Sequence, residues 1–191
     1  IEYSDKAESK AIAINDTIER LSAHANKGAI LMRQGNYRKS VNSLTPLWNM
    51  VKQANYNVLT LKYLSPLLKS YLQLGMVDSV AFYLTYANEA CRNLAPTSNG
   101  VLGILEIKAD LLGQQKKYAE QWILLDSISR LAGTNLPMPK DKLLATQARC
   151  LSDMGKYTQA YQAMQEAYLK SDSLKQSDID KQLSEFNIKY K

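Results

Sequence analysis

Four segments of the chain share one layout: RQGNYRKSVNSL (33–44), QLGMVDSVAFYL (73–84), QQKKYAEQWILL (114–125) and DMGKYTQAYQAM (153–164). Aligned on Gly35, Gly75, Lys116 and Gly155, the intervals are 40, 41 and 39 residues. Two residues after each slot stands Tyr37, Val77, Tyr118 or Tyr157. Five after stands Ser40, Val80, Gln121 or Ala160, and nine after stands Leu44, Leu84, Leu125 or Met164. Seven before stands Gly28, Leu68, Ala109 or Ala148, and four before stands Leu31, Tyr71, Leu112 or Leu151. Self-similarity at a fixed period of this length is the mark of a stacked-repeat architecture, because one unit cannot cover its own apolar face.

The template reads as a helical hairpin. Small residues in the first helix allow close approach of the second. A glycine in the slot ends the first helix, since it tolerates the left-handed conformation of a C-terminal cap. The tyrosine inside the second helix is expected to pack back across the turn, and the Leu or Met positions continue an apolar stripe. The fold class expected is all-α: one domain over 1–191, with a flanking helix at 1–15, units at 17–53, 58–93, 99–134 and 140–172, and a last amphipathic helix at 174–191. Turn length within a unit is constant, so variation falls between units, at 53–57, 93–99 and 132–140. Asp16 before Glu19, Thr97 or Ser98, and Asp141 are candidate N-terminal caps. Pro46 should kink or split the second helix of its unit. Pro66 is expected in a first turn, where its missing N–H is harmless.

These offsets resemble the tetratricopeptide repeat: a small residue, then Leu or Tyr, then Gly-x-Tyr, then Ala. The fit is best over 140–172, good over 21–53, and weaker over 61–93 and 102–134. The family's period is about 34 residues, so about six extra residues per unit must lengthen helices or loops. The family's helix-ending proline is missing at its usual offset. The resemblance implies a TPR-like α-solenoid whose first helices line a concave partner-binding groove. By repeat offset that groove would take Asn26, Ala29, Met32 and Arg33 from the first unit, and Lys62, Lys69 and Gln73 from the second. The third would supply Glu106, Asp110 and Gln114, and the fourth Lys142, Arg149, Ser152 and Asp153. The clamp that some relatives use for a peptide C-terminus is not reproduced, because Ala25 and Ala29 fill two of its places.

Composition points the same way. Of 191 residues, 46% are hydrophobic and 22% charged, with eight glycines and five prolines, which suits a folded domain of long regular elements. The net charge of +6 is uneven: residues 21–60 hold Lys27, Arg33, Arg38, Lys39 and Lys52 and no carboxylate. Such a patch can attract an acidic partner or phosphates, yet no nucleic-acid motif or aromatic platform accompanies it, so nucleic acid is the lesser expectation. Cys91 and Cys150 lie 59 apart without a CxxC spacing, and read as small core residues rather than a redox or zinc pair. A single histidine, His24, excludes HExxH, and no phosphate loop follows Gly100 and Gly103. Glu106 and Asp110 share a helical face but lack a reason for divergent pKa values. Neither an enzyme nor a cofactor or metal site is expected.

Residues 167–191 carry a second resemblance. Asp172, Ser173, Leu174, Leu183, Lys189 and Tyr190 are similar to the junction that follows repeat arrays in bacterial membrane-bound regulators of the two-component type. It implies that the chain is the extracytoplasmic (periplasmic) sensing region of a longer signal-transduction protein, with the membrane span outside it. The expected partner is a protein or peptide, or a small ligand. The alternative is a stand-alone intracellular adaptor.

Overall fold

The computed structural model describes residues 2–3, 5–6, 17–132 and 140–170. Regular structure among the described residues is helical, with no strand: α1 (Thr17–Arg33), α2 (Tyr37–Leu44), a 3-10 turn (Thr45–Leu47), α3 (Trp48–Ala54), α4 (Asn57–Gln73), α5 (Val77–Arg92), α6 (Asn99–Gln114), α7 (Tyr118–Ala132), α8 (Lys140–Asp153) and α9 (Tyr157–Lys170). Residues 2, 3, 5 and 6 are helical. The rest of the expected flanking helix at 1–15, the cap Asp16, and the expected C-terminal helix at 174–191 with its junction motif lie outside the described residues. The chain divides into two compact units, 1–107 and 108–191, at a point within α6.

All four slot residues end a first helix in the left-handed conformation, with φ of 75° at Gly35, 69° at Gly75, 58° at Lys116 and 74° at Gly155. Each turn carries the same two backbone bonds. The slot N–H reaches the carbonyl three residues back, as Gly35 does to Met32 at 3.0 Å, and the next N–H reaches five back, as Asn36 does to Leu31 at 2.9 Å. Gly75 and Met76, Lys116 and Lys117, and Gly155 and Lys156 repeat the pattern. This is the paired 5→2 and 6→1 closure that satisfies a helix's last carbonyls. A Cβ on Gly35, Gly75 or Gly155 would meet nothing within 4 Å. The constraint on the slot is therefore the sign of φ rather than space, and Lys116 occupies it at a conformational cost.

Burial follows the template. The residues five after the slot (Ser40, Val80, Gln121, Ala160) and nine after it (Leu44, Leu84, Leu125, Met164) are all buried. Seven before it, Leu68, Ala109 and Ala148 are wholly buried, and so is Gly28, where an added Cβ would stand 2.6 Å from Leu44 Cδ1. At that crossing the buried Ser40 hydroxyl donates to the Gly28 carbonyl at 2.9 Å, which ties the two helices of the first hairpin where no side chain fits between them. The aromatic position two after the slot differs from expectation. Val77 and Tyr157 are exposed and Tyr37 and Tyr118 only half-buried, because this is the first residue of the second helix, at the open end of the hairpin.

In the unit 1–107, α4 is the central element. Ten of its residues are buried, including Pro66, and it packs against α1, α2, α3 and α5. Pro66 stands mid-helix rather than in the first turn. An interior proline costs a helix about 3 kcal/mol, which the burial of both flanks of α4 offsets. Pro46 behaves as expected: the helix stops at Leu44, passes through the 3-10 turn and resumes at Trp48. The break frees the Leu44 carbonyl, which accepts the buried hydroxyl of Tyr63 at 2.5 Å. The rings of Tyr71 and Tyr83 stack 5.6 Å apart, and Trp48 meets Tyr83 and Tyr86 edge-on at 5.5 and 5.1 Å. Among the candidate caps, Ser98 rather than Thr97 starts α6, its Oγ accepting the Val101 N–H at 3.4 Å. In the unit 108–191, α8 packs against both α7 and α9, and the Cys150 thiol donates to the Tyr118 carbonyl at 3.2 Å.

Two predictions follow from the turns and the buried hydroxyl and thiol groups. Lys116→Gly removes the left-handed penalty of a side chain and should stabilise the protein by about 1 kcal/mol, read as a higher midpoint in urea denaturation. Burial, first among the causes, pushes the Cys150 thiol from 9.0 to about 11 and the Tyr83 phenol from 10.0 to about 12. Tyr63 is raised by the same cause. The unfolded chain then sheds these protons at a lower pH than the folded one, so stability is intact below pH 9 and declines as pH rises toward 11 and beyond. Thermal melts across that range should follow this course, and Cys150→Ala should move the onset upward, toward the ordinary tyrosine value of 10.0.

Candidate functional site

The residues expected to line a groove fall into a pattern along the first helices. Two residues before each slot, Arg33, Gln73, Gln114 and Asp153 are all exposed. Six before it, Ala29, Lys69 and Asp110 are half-buried while Arg149 is exposed. Asn26, Lys62 and Lys142 are exposed, and Met32, Glu106 and Ser152 are half-buried. Each first helix thus presents a polar strip one residue to the side of its buried stripe, since residues four apart share a face.

In the unit 1–107 the structure brings several of these together and spends two of the expected charges. The Lys69 ammonium on α4 pairs with the Glu106 carboxylate on α6 at 3.1 Å, with side chains only 28% and 15% exposed. Lys62, also on α4, donates to the Ser22 hydroxyl on α1. A further bond joins Lys27 of α1 to Asp5 at 2.7 Å and holds the Asp5 carboxyl below its ordinary range. First helices of consecutive hairpins therefore lie side by side, α1 by α4 and α4 by α6. The backbone agrees: a Cβ on Gly100 of α6 would stand 3.1 Å from Leu61 Cδ1 of α4. The Glu106–Lys69 pairing across helices was not visible in the sequence, where Glu106 reads naturally with Asp110 on its own helix. Arg33, Gln73 and Asn26 remain exposed on this face. In the unit 108–191, Gln114, Lys142, Arg149, Ser152 and Asp153 occupy the matching strips of α6 and α8.

The basic window 21–60 does not form one surface charge. Lys27 is held by Asp5. Lys52 lies over the rings of Trp48 and Tyr86, 6.0 and 5.7 Å from their centroids. Arg33, Arg38 and Lys39 stay exposed around the first turn.

A cleft of about 390 Å³ opens on the side of the same unit formed by second helices. Trp48 and Lys52 of α3, Asn57 and Thr60 of α4, Tyr86 and Glu89 of α5, and Asn93 just after α5 line it. It exists because Asn55, with φ of 45°, ends α3 in the left-handed conformation and turns the chain directly into α4. Trp48 is 6% exposed, and its Nε1–H is buried with no hydrogen-bond partner. Sequence reasoning passed over these residues. The signal was present as spacing, since Trp48 and Lys52, and Tyr86, Glu89 and Asn93, recur at helical intervals on one face, but their meeting depends on how three helices pack.

Among the described residues no group of three His, Cys, Asp or Glu side chains could hold a metal ion, and no helix is long and apolar enough to cross a membrane. No protein-family model, curated protein or solved structure matches the chain significantly.

The Lys69–Glu106 pair yields a direct test. Lys69→Met leaves the Glu106 carboxylate part-buried without its cation, a costlier state than losing both charges. The double variant Lys69→Met/Glu106→Gln should therefore be at least as stable as Lys69→Met alone. A double-mutant cycle read by urea denaturation should give a coupling of roughly 1 kcal/mol.

Proposed function

We propose that the chain is a tetratricopeptide-type helical array that acts as a non-catalytic binding scaffold, with its first helices as the partner surface. The observation that carries this reading is the common turn. Four slot residues share the left-handed conformation and the same pair of backbone bonds, so each hairpin leaves its turn with the same geometry. Repeats of this kind build their surfaces from equivalent positions; Arg33 and Gln73 hold one such exposed position in the unit 1–107, and Gln114 and Asp153 hold it in the unit 108–191. Within the unit 1–107, the exposed guanidinium of Arg33 and amide of Gln73 suit an extended peptide segment, whose backbone offers both donors and acceptors.

The cellular setting proposed is the sensing region of a bacterial membrane-bound regulator, on the periplasmic side. The junction-like residues Asp172, Ser173, Leu174, Leu183, Lys189 and Tyr190 support it. Binding on the array would then bias the helix leading to the membrane. A stand-alone adaptor would use the same surface. A phosphate-tracking role is less supported, because Lys27 and Lys52 of the basic window are engaged within the protein.

Selection of displayed peptides against the intact chain tests the scaffold reading. Selected peptides should lose about tenfold in affinity against Arg33→Ala/Gln73→Ala, by the loss of one or two hydrogen bonds, and should be indifferent to Lys39→Ala. Peptides that bind the double variant as tightly as the parent would move the site off this face. Sequencing the native gene beyond position 191 tests the setting, where an apolar run of about 20 residues is expected.

A further inference from the structure

We infer that the cleft between α3, α4 and α5 is a binding site for a neutral, polyhydroxylated ligand of one or two rings, a mono- or disaccharide. The site is separate from the first-helix face and its existence does not depend on what that face binds. About 390 Å³ falls within the range of small-molecule sites. Among the side chains lining it, only Ala90's does not end in a hydrogen-bonding group, so a lipid or other apolar ligand would strand many polar groups without partners. Lys52 and Glu89 contribute one charge of each sign, which favours neither a phosphate nor a cation. A single carboxylate is too few for a hard metal ion.

What the wall offers matches adjacent hydroxyls. The amide of Asn57 presents donors and an acceptor in one plane, Asn93 keeps its Oδ1 and one N–H beside its bond to the Glu89 carbonyl at 3.4 Å, and the Glu89 carboxylate can accept from two hydroxyls at once. Trp48 contributes its indole ring to the wall. The half-buried ring of Tyr86, with the Lys52 ammonium 5.7 Å from its centroid, adds a hydroxyl and apolar ring surface to the wall. Because the wall is built from α3, α4 and α5, a ligand here would brace the second helix of one hairpin against both helices of the next.

The test uses the intact chain carrying Trp122→Phe, which leaves Trp48 as the only tryptophan. D-Glucose, D-galactose, N-acetyl-D-glucosamine and maltose are titrated to about 20 mM, well above a dissociation constant of ~1 mM, with triglycine as the comparison. At least one saccharide should give a saturable change in Trp48 emission. Glu89→Gln and Asn93→Ala, both at exposed positions, should each weaken it roughly three- to tenfold by removing one hydrogen-bonding partner. Arg33→Ala, on the first-helix face, should leave it unchanged, so failure here and failure of the peptide reading are told apart. The inference is overturned if none of the four saccharides saturates, if triglycine does so instead, or if both cleft variants bind like the parent.

Discussion

A backbone sign change holds this architecture together. Where each first helix ends, one residue must adopt positive φ so that the last carbonyls find donors and the chain can reverse in two residues. Gly35, Gly75, Lys116 and Gly155 all do so, and the following helix begins at the same offset each time, with Ser40, Val80, Gln121 and Ala160 making its first backbone bond. Lengthening the turn by one residue would rotate the second helix by about 100°, since 3.6 residues complete a turn. The buried positions five and nine after the slot would then leave the core. Turn chemistry and core composition are therefore one constraint rather than two.

Given the turns, neighbouring hairpins in the unit 1–107 associate through their first helices, and α4 bears most of that contact. It is apolar on enough of its circumference to tolerate Pro66 at its middle. The adjoining break at Pro46 is put to use: the Leu44 carbonyl, released from the helix, becomes the acceptor for Tyr63. Polar side chains then fasten the rim, Lys62 to Ser22 and Lys69 to Glu106. The face that is expected to meet a partner is thus partly a seam between helices. The residues left to recognise something are those displaced from the seam, such as Arg33 and Gln73.

The second helices build a different surface. Because Pro46 divides the first of them, Trp48 and Lys52 lie on a short separate helix, and Asn55 in the left-handed conformation returns the chain at once to α4. A continuous second helix would carry its last turns elsewhere. The cleft is a consequence of that irregularity, which has no counterpart in α5, unbroken from Val77 to Arg92.

The amino-acid sequence by itself determined the helical class, the hairpin offsets, the left-handed turn at the three glycine slots, and the split at Pro46. Each of these is local: it depends on φ preferences, on the missing N–H of proline, or on a period of about 3.6 residues that any single helix obeys. Tertiary structure alone decided that Pro66 is interior, that the tyrosines after the slot are half-buried or exposed rather than packed in the core, and that Lys69 answers Glu106 rather than a partner. It also decided that Trp48, Asn57, Glu89 and Asn93 converge. These outcomes depend on which face of one helix meets which face of another. Side chains from positions 37 apart, as Lys69 and Glu106 are, carry no mark in a linear pattern of where their helices cross.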